Sequence, residues 1–357
     1  MAKQPSNDVI FVGCDDGHDS IKLMMRRLSD KTASGALTMP AKVVRGSRAI
    51  SLTGDGSNGG VYQVGDDLYT ITDALIGNDM IDTRTIGYPT SDVNRILVHD
   101  ALIRANLSGK DVRLLTSLPV QDYYRNGTVN TLLIEQKKAN IANTEKLRPM
   151  AATPLANITA QSVVCEGIAA VYDMAINDDG SDNTDFYKLL EKDSVGVIDI
   201  GGKTIDLAVV FLERGRPQID LARTKSIDFG MLKVAEQIRN EIQISHKLDE
   251  ISPRMMARVI SEGKMSLYGQ DQNMEHEIAT ALSKVMPSIF DRIRAHWGTG
   301  ISMSSIVVVG GGAYTLATPI KAGLFSHAVF RDEPEYANAR GMLKMGMRDY
   351  IQNQDQA

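Results

Sequence analysis

The sequence predicts an α/β protein built from two related domains that face each other across one cleft. Three observations predict it. Short apolar runs of strand length alternate with segments whose apolar residues recur three or four apart, the period of a helix. The pattern D-x-G-x-x-S/T-I-x-L occurs twice, at residues 15–23 and 199–207, each time directly after an apolar run and about half the chain apart. The chain has 357 residues, and its 43% hydrophobic and 23% charged content suits two ordinary packed cores.

The elements follow in order. Residues 9–14 (VIFVGC) are an apolar run ending at Asp15, which reads as a buried strand. After a DDG turn, Ile21, Leu23 and Met25 alternate with polar neighbours, so a second strand returns as a hairpin. Residues 52–60 are a glycine-rich loop and 61–72 read as two short strands around GDD, which makes 32–88 a small strand-rich insertion. Ser91 and Asp92 suit a helix start, and Val93, Ile96, Leu97 and Ala101 mark its apolar face to about Asn106. Residues 111–115 form a strand, and 130–141 are polar and basic. Residues 158–165 lead into Glu166 and a helix at 167–176, and the acidic stretch 177–185 reads as a surface loop.

The second half opens with a strand at 195–198 and Asp199, then IGGKT and a strand at 205–211. Helices are expected at 230–244, 254–267 and 274–296, the last with Pro287 as a candidate kink. A strand at 305–309 enters Gly310-Gly311-Gly312, and a final helix occupies 337–351. His99 reads as a surface or packing residue, the single tryptophan, Trp297, as core or edge packing, and the 17 methionines as adaptable core.

Composition excludes several functions. No apolar run reaches the roughly 18–20 residues of a membrane span. Net charge is −5, from 39 basic and 44 acidic residues, whereas direct grip on a nucleic-acid backbone calls for a basic excess. The two cysteines, Cys14 and Cys165, stand in unrelated contexts, which argues against a disulfide framework or cysteine zinc site and fits a reducing cytoplasm. The opening MAKQPSND is unlike a secretory leader, and the polar ending RDYIQNQDQA is unlike an anchor.

The repeated loop has a defined chemistry. Glycine lets the backbone turn sharply and an anion approach closely. Successive N–H groups in such a turn cradle phosphate oxygens. A carboxylate at the strand end repels phosphate but holds Mg²⁺, usually through water, and the metal bridges phosphate oxygens. Two such loops facing each other clamp a polyphosphate from both sides. The third glycine turn, at Gly310, Gly311 and Gly312, suits a flat nucleoside approaching the backbone.

At these residues the chain resembles the actin and hexokinase ATPase superfamily. Asp15, Asp16 and Gly17 through Lys22 look like its first phosphate loop, Asp199 through Thr204 like its second, and Gly310 through Ala313 like its adenosine motif. Within that superfamily the sequence is similar to the ParM/StbA family of actin-like plasmid segregation ATPases. TSDVNRILVHDALI at 90–103, LTSLPVQDYYRNG at 115–127 and IEQKKANI at 134–141 carry that likeness.

The resemblance implies an actin-like (ribonuclease H-like) duplicated fold with an interdomain nucleotide cleft. It implies domain I at 8–165 plus 335–357 and domain II at 166–334 with an insertion at about 213–300, hinged by helices at 230–238 and 337–346. It implies a cytoplasmic ATPase that polymerises into helical filaments and segregates plasmids through a ParR-type adaptor on centromere-like DNA, with no direct nucleic-acid or membrane contact. The alternative on the same fold is a small-molecule kinase; a chaperone or a membrane-associated actin fits less well.

Residue roles follow the motifs. Asp15 and Asp199 would position Mg²⁺ through water, and Lys22 would reach the β- or γ-phosphate. Asp16, Gly17, Ser20, Gly201, Gly202 and Thr204 complete the loops. Glu166 would orient or deprotonate the attacking water, its bland reading being an acid at a helix N-terminus. Glu262 and Lys264 either approach the ribose or base or lie on a solvated helix face. The run Gln136-Lys137-Lys138 would be a solvated or filament-contact surface. His18 and Asp19 stand where the family often has small hydroxyl residues, and Lys203 where it usually has a neutral one. His18 either donates a ring N–H to phosphate or sits at the rim; Asp19 either points away or helps hold the metal. These departures leave GTP open beside ATP.

Overall fold

The computed structural model describes residues 9–30, 35–47, 60–72 and 80–355. The glycine-rich stretch expected at 52–60 lies, apart from Gly60, outside them. Two sheets of like design organise the chain. The first runs in the order Asn157–Cys165, Asp111–Leu118, Ile10–Asp16, Ser20–Arg27, Gly35–Pro40. The second runs Val329–Phe330, Met303–Val309, Ser194–Ile200, Ile205–Glu213, Arg216–Ile219. In each, the first two junctions are parallel and the last two antiparallel.

The repeat extends to hairpin register. Asp15 lies opposite Lys22 and Asp16 opposite Ile21; Asp199 lies opposite Asp206 and Ile200 opposite Ile205. Ile10–Asp16 and Ser194–Ile200 are buried along their whole length, because each sheet is covered on both faces. Alternate side chains feed different cores. Ile10, Val12 and Cys14 pack with the helix Asp92–Arg104, while Phe11 packs with Ala339 and Leu343 of the last helix. Val195 and Val197 face the helices Ile168–Ala175 and Thr184–Lys192; Ile198 and Ile200 face Met231–His246, Glu275–Trp297 and Ala313–Gly323.

Local signals hold at several ends. Ser91 caps its helix by accepting from Asn94 N at 3.2 Å. Pro287 sits inside the continuous helix Glu275–Trp297. Trp297 is buried and donates to Arg223 O at 2.9 Å, and buried His99 reaches Ile141 O at 3.0 Å.

Three expectations are corrected. The helix expected at 254–267 is Pro253–Glu262; Gly263 adopts the left-handed cap conformation, and Lys264–Leu267 then pairs with Gln270–Asn273 as a hairpin. The insertion sheet contains Val43–Arg45, Val61–Val64 and Asp67–Ile71 but also recruits Leu147–Pro149 from far along the chain. The segment 230–238 is not a hinge helix: it lies in Met231–His246, whose Val234, Ile238 and Ile242 are buried in the second core. The helix that crosses the last one, Ala337–Asp355, is Ile168–Ala175. They meet so closely that a Cβ on Gly341 would fall 1.7 Å from Ala169 O.

Candidate functional site

The two hairpin turns meet between the sheets. A Cβ on Gly202 would lie 2.5 Å from the Cβ of Asp19, so the second turn needs glycine to sit against the first. Between them opens a cleft lined by both turns. Asp15, Gly17, His18, Asp19, Ser20 and Lys22 line it from the first hairpin, and Asp199, Gly201, Gly202, Lys203 and Thr204 from the second. Gly310, Gly311 and Gly312 close one end, with Glu166 and Asn338 also facing inward. Met231, Leu232, Ala235 and Ile260 supply an apolar wall that the motif reading did not include.

The carboxylates are the chief electrostatic feature. Lys22 Nζ lies 3.4 Å from Asp15 Oδ2, both groups buried. Asp199 is held by Asn338 Nδ2 at 2.6 Å, and Asn338 Oδ1 accepts from Gly167 N at 3.1 Å. Burial, with Asp15 close by, pushes the Asp199 carboxyl up to about 7. Burial and the neighbouring Asp206, Asp15 and Asp199 push Glu166 well above the carboxylate range, although its open side faces the cleft. Glu166 Oε1 accepts from Ser117 Oγ at 3.0 Å, and Glu166 N donates to Leu118 O at 2.9 Å. Like charges packed this way favour a cationic or protonated occupant of the cleft.

Not every expected residue reaches the cleft. Asp16 turns away from it, accepting from Asn94 Nδ2 at 2.7 Å and Ser117 N at 3.2 Å and pairing with Lys137 Nζ at 2.6 Å. Lys137 is therefore no surface residue; its side chain is 2% exposed. The sequence signal was available, because Lys137 shares a helix face with Ile134 and buried Ile141 in Thr131–Ala142. Ala313 is the buried first residue of its helix and does not line the cleft. Glu262 is exposed and pairs with Arg258 Nε at 2.9 Å, while Lys264 starts the surface hairpin.

His18 is buried, with Nδ1 2.6 Å from Thr83 O, so Nδ1 carries the proton and donates. Burial lowers its pKa to about 4, so the ring is neutral at pH 7 and Nε2 is an acceptor, which removes the phosphate-donor reading. Asp19 is engaged by Lys42 at 2.9 Å. Asp206, unremarked in the motif, joins the halves: it accepts from Val120 N at 2.8 Å, from Thr204 Oγ1 at 2.6 Å and from Ser226 Oγ.

The family model for the N-terminal part of the plasmid segregation protein ParM matches residues 10–190. The model for the C-terminal part of the archaeal MreB-like actin homologue matches residues 197–322. The chain is similar to ParM in the 15-stranded filament from Clostridium botulinum, at 19% identity and TM-score 0.72, over 95% of this chain and 99% of that one. It is similar to Ta0583, an archaeal actin homolog solved in complex with ADP, at 16% identity and TM-score 0.71, over 96% and 99%. It is also similar to the actin-like protein Alp7A, at 13% identity and TM-score 0.71, over 98% of both chains. No curated protein matches it. The fold is the duplicated two-domain actin-like fold, and with a family model covering more than half its length the chain belongs to the ParM plasmid segregation family.

Proposed function

We propose that this chain is a nucleotide-driven filament protein: it binds ATP with Mg²⁺ in the cleft, hydrolyses the terminal phosphate, and assembles with copies of itself. The observation that carries the reading is the contact of the two glycine turns over a cleft lined by Asp15, Lys22, Glu166 and Asp199. The likeness to ParM in a filament and to an ADP-bound actin homolog supports it. The working context that goes with the family is the cytoplasm, with a ParR-type adaptor linking the filament to plasmid DNA. The lobes that close on the nucleotide are 8–165 with 335–357, and 166–334.

The residues fit that chemistry. Among the described residues no group of three His, Cys, Asp or Glu side chains is placed to hold a metal ion by itself. Asp15 and Asp199 are two buried carboxylates whose repulsion a divalent cation relieves, and they would hold Mg²⁺ through water with phosphate oxygens completing the shell. When bound, the metal spreads phosphate charge. Lys22 neutralises a phosphate oxygen, and the turn amides at 17–19 and 202–204 cradle others. Glu166 orients the attacking water by accepting its hydrogen bond. The apolar wall at the nucleoside end stacks a purine, and GTP remains a second substrate to assay beside ATP.

Sedimentation with ATP, with ADP and without nucleotide tests the reading. Pelleting with ATP and release on hydrolysis are expected. Glu166→Ala should bind ATP, hydrolyse it slowly and give longer-lived polymer. Failure to pellet across a broad concentration range, with phosphate transfer to a metabolite instead of water, would replace the filament with a kinase.

A further inference from the structure

Behind Glu166 lies a buried network that the motifs do not announce. Ser117, near the end of the strand Asp111–Leu118, is 2% exposed, and its three polar groups are all engaged. Its hydroxyl donates to Glu166 Oε1 at 3.0 Å, its amide donates to Asp16 Oδ1 at 3.2 Å, and its carbonyl accepts from Lys137 Nζ at 2.5 Å. Asp16 and Lys137 are themselves paired at 2.6 Å, and Asn94 Nδ2 donates to Asp16 at 2.7 Å. One buried ion pair thus grips the backbone of residue 117 by both its donor and its acceptor, and the side chain of that residue reaches Glu166.

The network meets a mechanical need. A glutamate side chain has three torsions, and the nearby charges of Asp206, Asp15 and Asp199 oppose its ionised form. A fixed hydroxyl donor opposes that repulsion and selects one position of the carboxylate. Ser117 is not among the residues lining the cleft, so it does not contribute to holding substrate.

We propose that Ser117 is the positioning residue for Glu166, anchored in turn by the Asp16–Lys137 pair. The inference rests on reading Glu166 as the group that orients the attacking water. Misplacing a reacting group by about 1 Å costs on the order of a hundredfold in rate, so a loosened Glu166 acts on the chemical step and not on binding.

The test is a double-mutant cycle on single-turnover ATP hydrolysis, with ATP binding and melting temperature measured alongside. Ser117→Ala should slow hydrolysis roughly tenfold or more while leaving the ATP Kd within about twofold of wild type. Glu166→Ala should be slower still, and Ser117→Ala added to it should slow hydrolysis no further. Ser117→Ala at the wild-type rate beside a slow Glu166→Ala overturns the positioning role alone. Equal slowing by Ser117→Ala in both backgrounds also overturns it, because the effect then does not pass through Glu166. Wild-type hydrolysis by Glu166→Ala removes the reading of Glu166 and this inference with it.

Discussion

The hairpins at 15–22 and 199–206 share turn, register and flanking strands but not their charges. Asp15 and Asp199 are the same residue at the same register position. Beyond them the signs are exchanged: Asp19 and Lys22 in the first hairpin stand where the second has Lys203 and Asp206. Lys22 pairs with Asp15 and faces the cleft, while Asp206 accepts hydrogen bonds from Val120, Thr204 and Ser226. The duplicated backbone sets two turns against one cleft. The side chains then differ in what they do, one hairpin presenting a cation to the cleft and the other tying the two halves together.

The position after the first carboxylate differs most. Asp16 is buried and paired with Lys137, whereas its counterpart Ile200 is plain apolar core. Lys137→Met should therefore break the symmetry hardest, because it strands a buried carboxylate at a cost of about 3–5 kcal/mol. Adding Asp16→Ile, which copies the second hairpin, should recover at least about half of that. Chemical denaturation of the nucleotide-free protein reads both. A single variant that loses less than about 1 kcal/mol would show that the pair is solvated and the two positions equivalent.

Asp199 tests the feature that the hairpins share. Asp199→Ala should cut Mg-ATP hydrolysis by roughly a hundredfold or more, the scale of losing one preorganised electrostatic group. Asp15→Ala should lose a similar factor if both strand-end carboxylates serve the metal alike. A large loss at Asp199 with little at Asp15 would sharpen the comparison by assigning the metal to the second hairpin. Wild-type turnover by Asp199→Ala would remove that residue from the site.

The repeat was legible in the sequence because its determinants are local: apolar strand, carboxylate, glycine, return strand. So was the helix started by Ser91. What escaped depends on partners far along the chain. Asn338 sits in the first turn of an ordinary helix, and only the crossing with Ile168–Ala175 brings it to Asp199. The charge of Lys137 marks it for the surface, although its helical spacing from Ile141 points inward. The hairpin after Gly263 lies inside the stretch expected as helix, although Met265 and Leu267 alternate at the strand period of two and Gly263 and the Tyr268-Gly269 turn punctuate it. Of the two readings of Glu262, the structure places it on the solvated helix face.

The smallest predicted effect again contrasts the turns, His18 against Gly202. The first turn carries a buried imidazole, stacked near Tyr88 with ring centroids 4.7 Å apart and facing Lys203, Lys137 and Asp16; the second carries no ionisable group there. The folded pKa of His18, about 4, lies below the ordinary value of 6.5, so between them the unfolded chain binds more protons than the native one. Stability from this group is complete above about pH 6.5 and is lost as pH falls toward 4, amounting to about 2 kcal/mol by pH 5. Asp199, pushed up to about 7, acts in the opposite sense: its native state holds the extra proton, so stability falls as pH rises through the same range. The two slopes oppose each other in the wild-type curve, and the readable quantity is the difference from His18→Gln. That variant keeps a side-chain donor for Thr83 O but does not titrate. Its advantage over wild type should grow as pH drops from 7 to 5 in urea unfolding. Parallel curves would mean that His18 titrates as if it were solvated, and that the first turn is as open to water as the second.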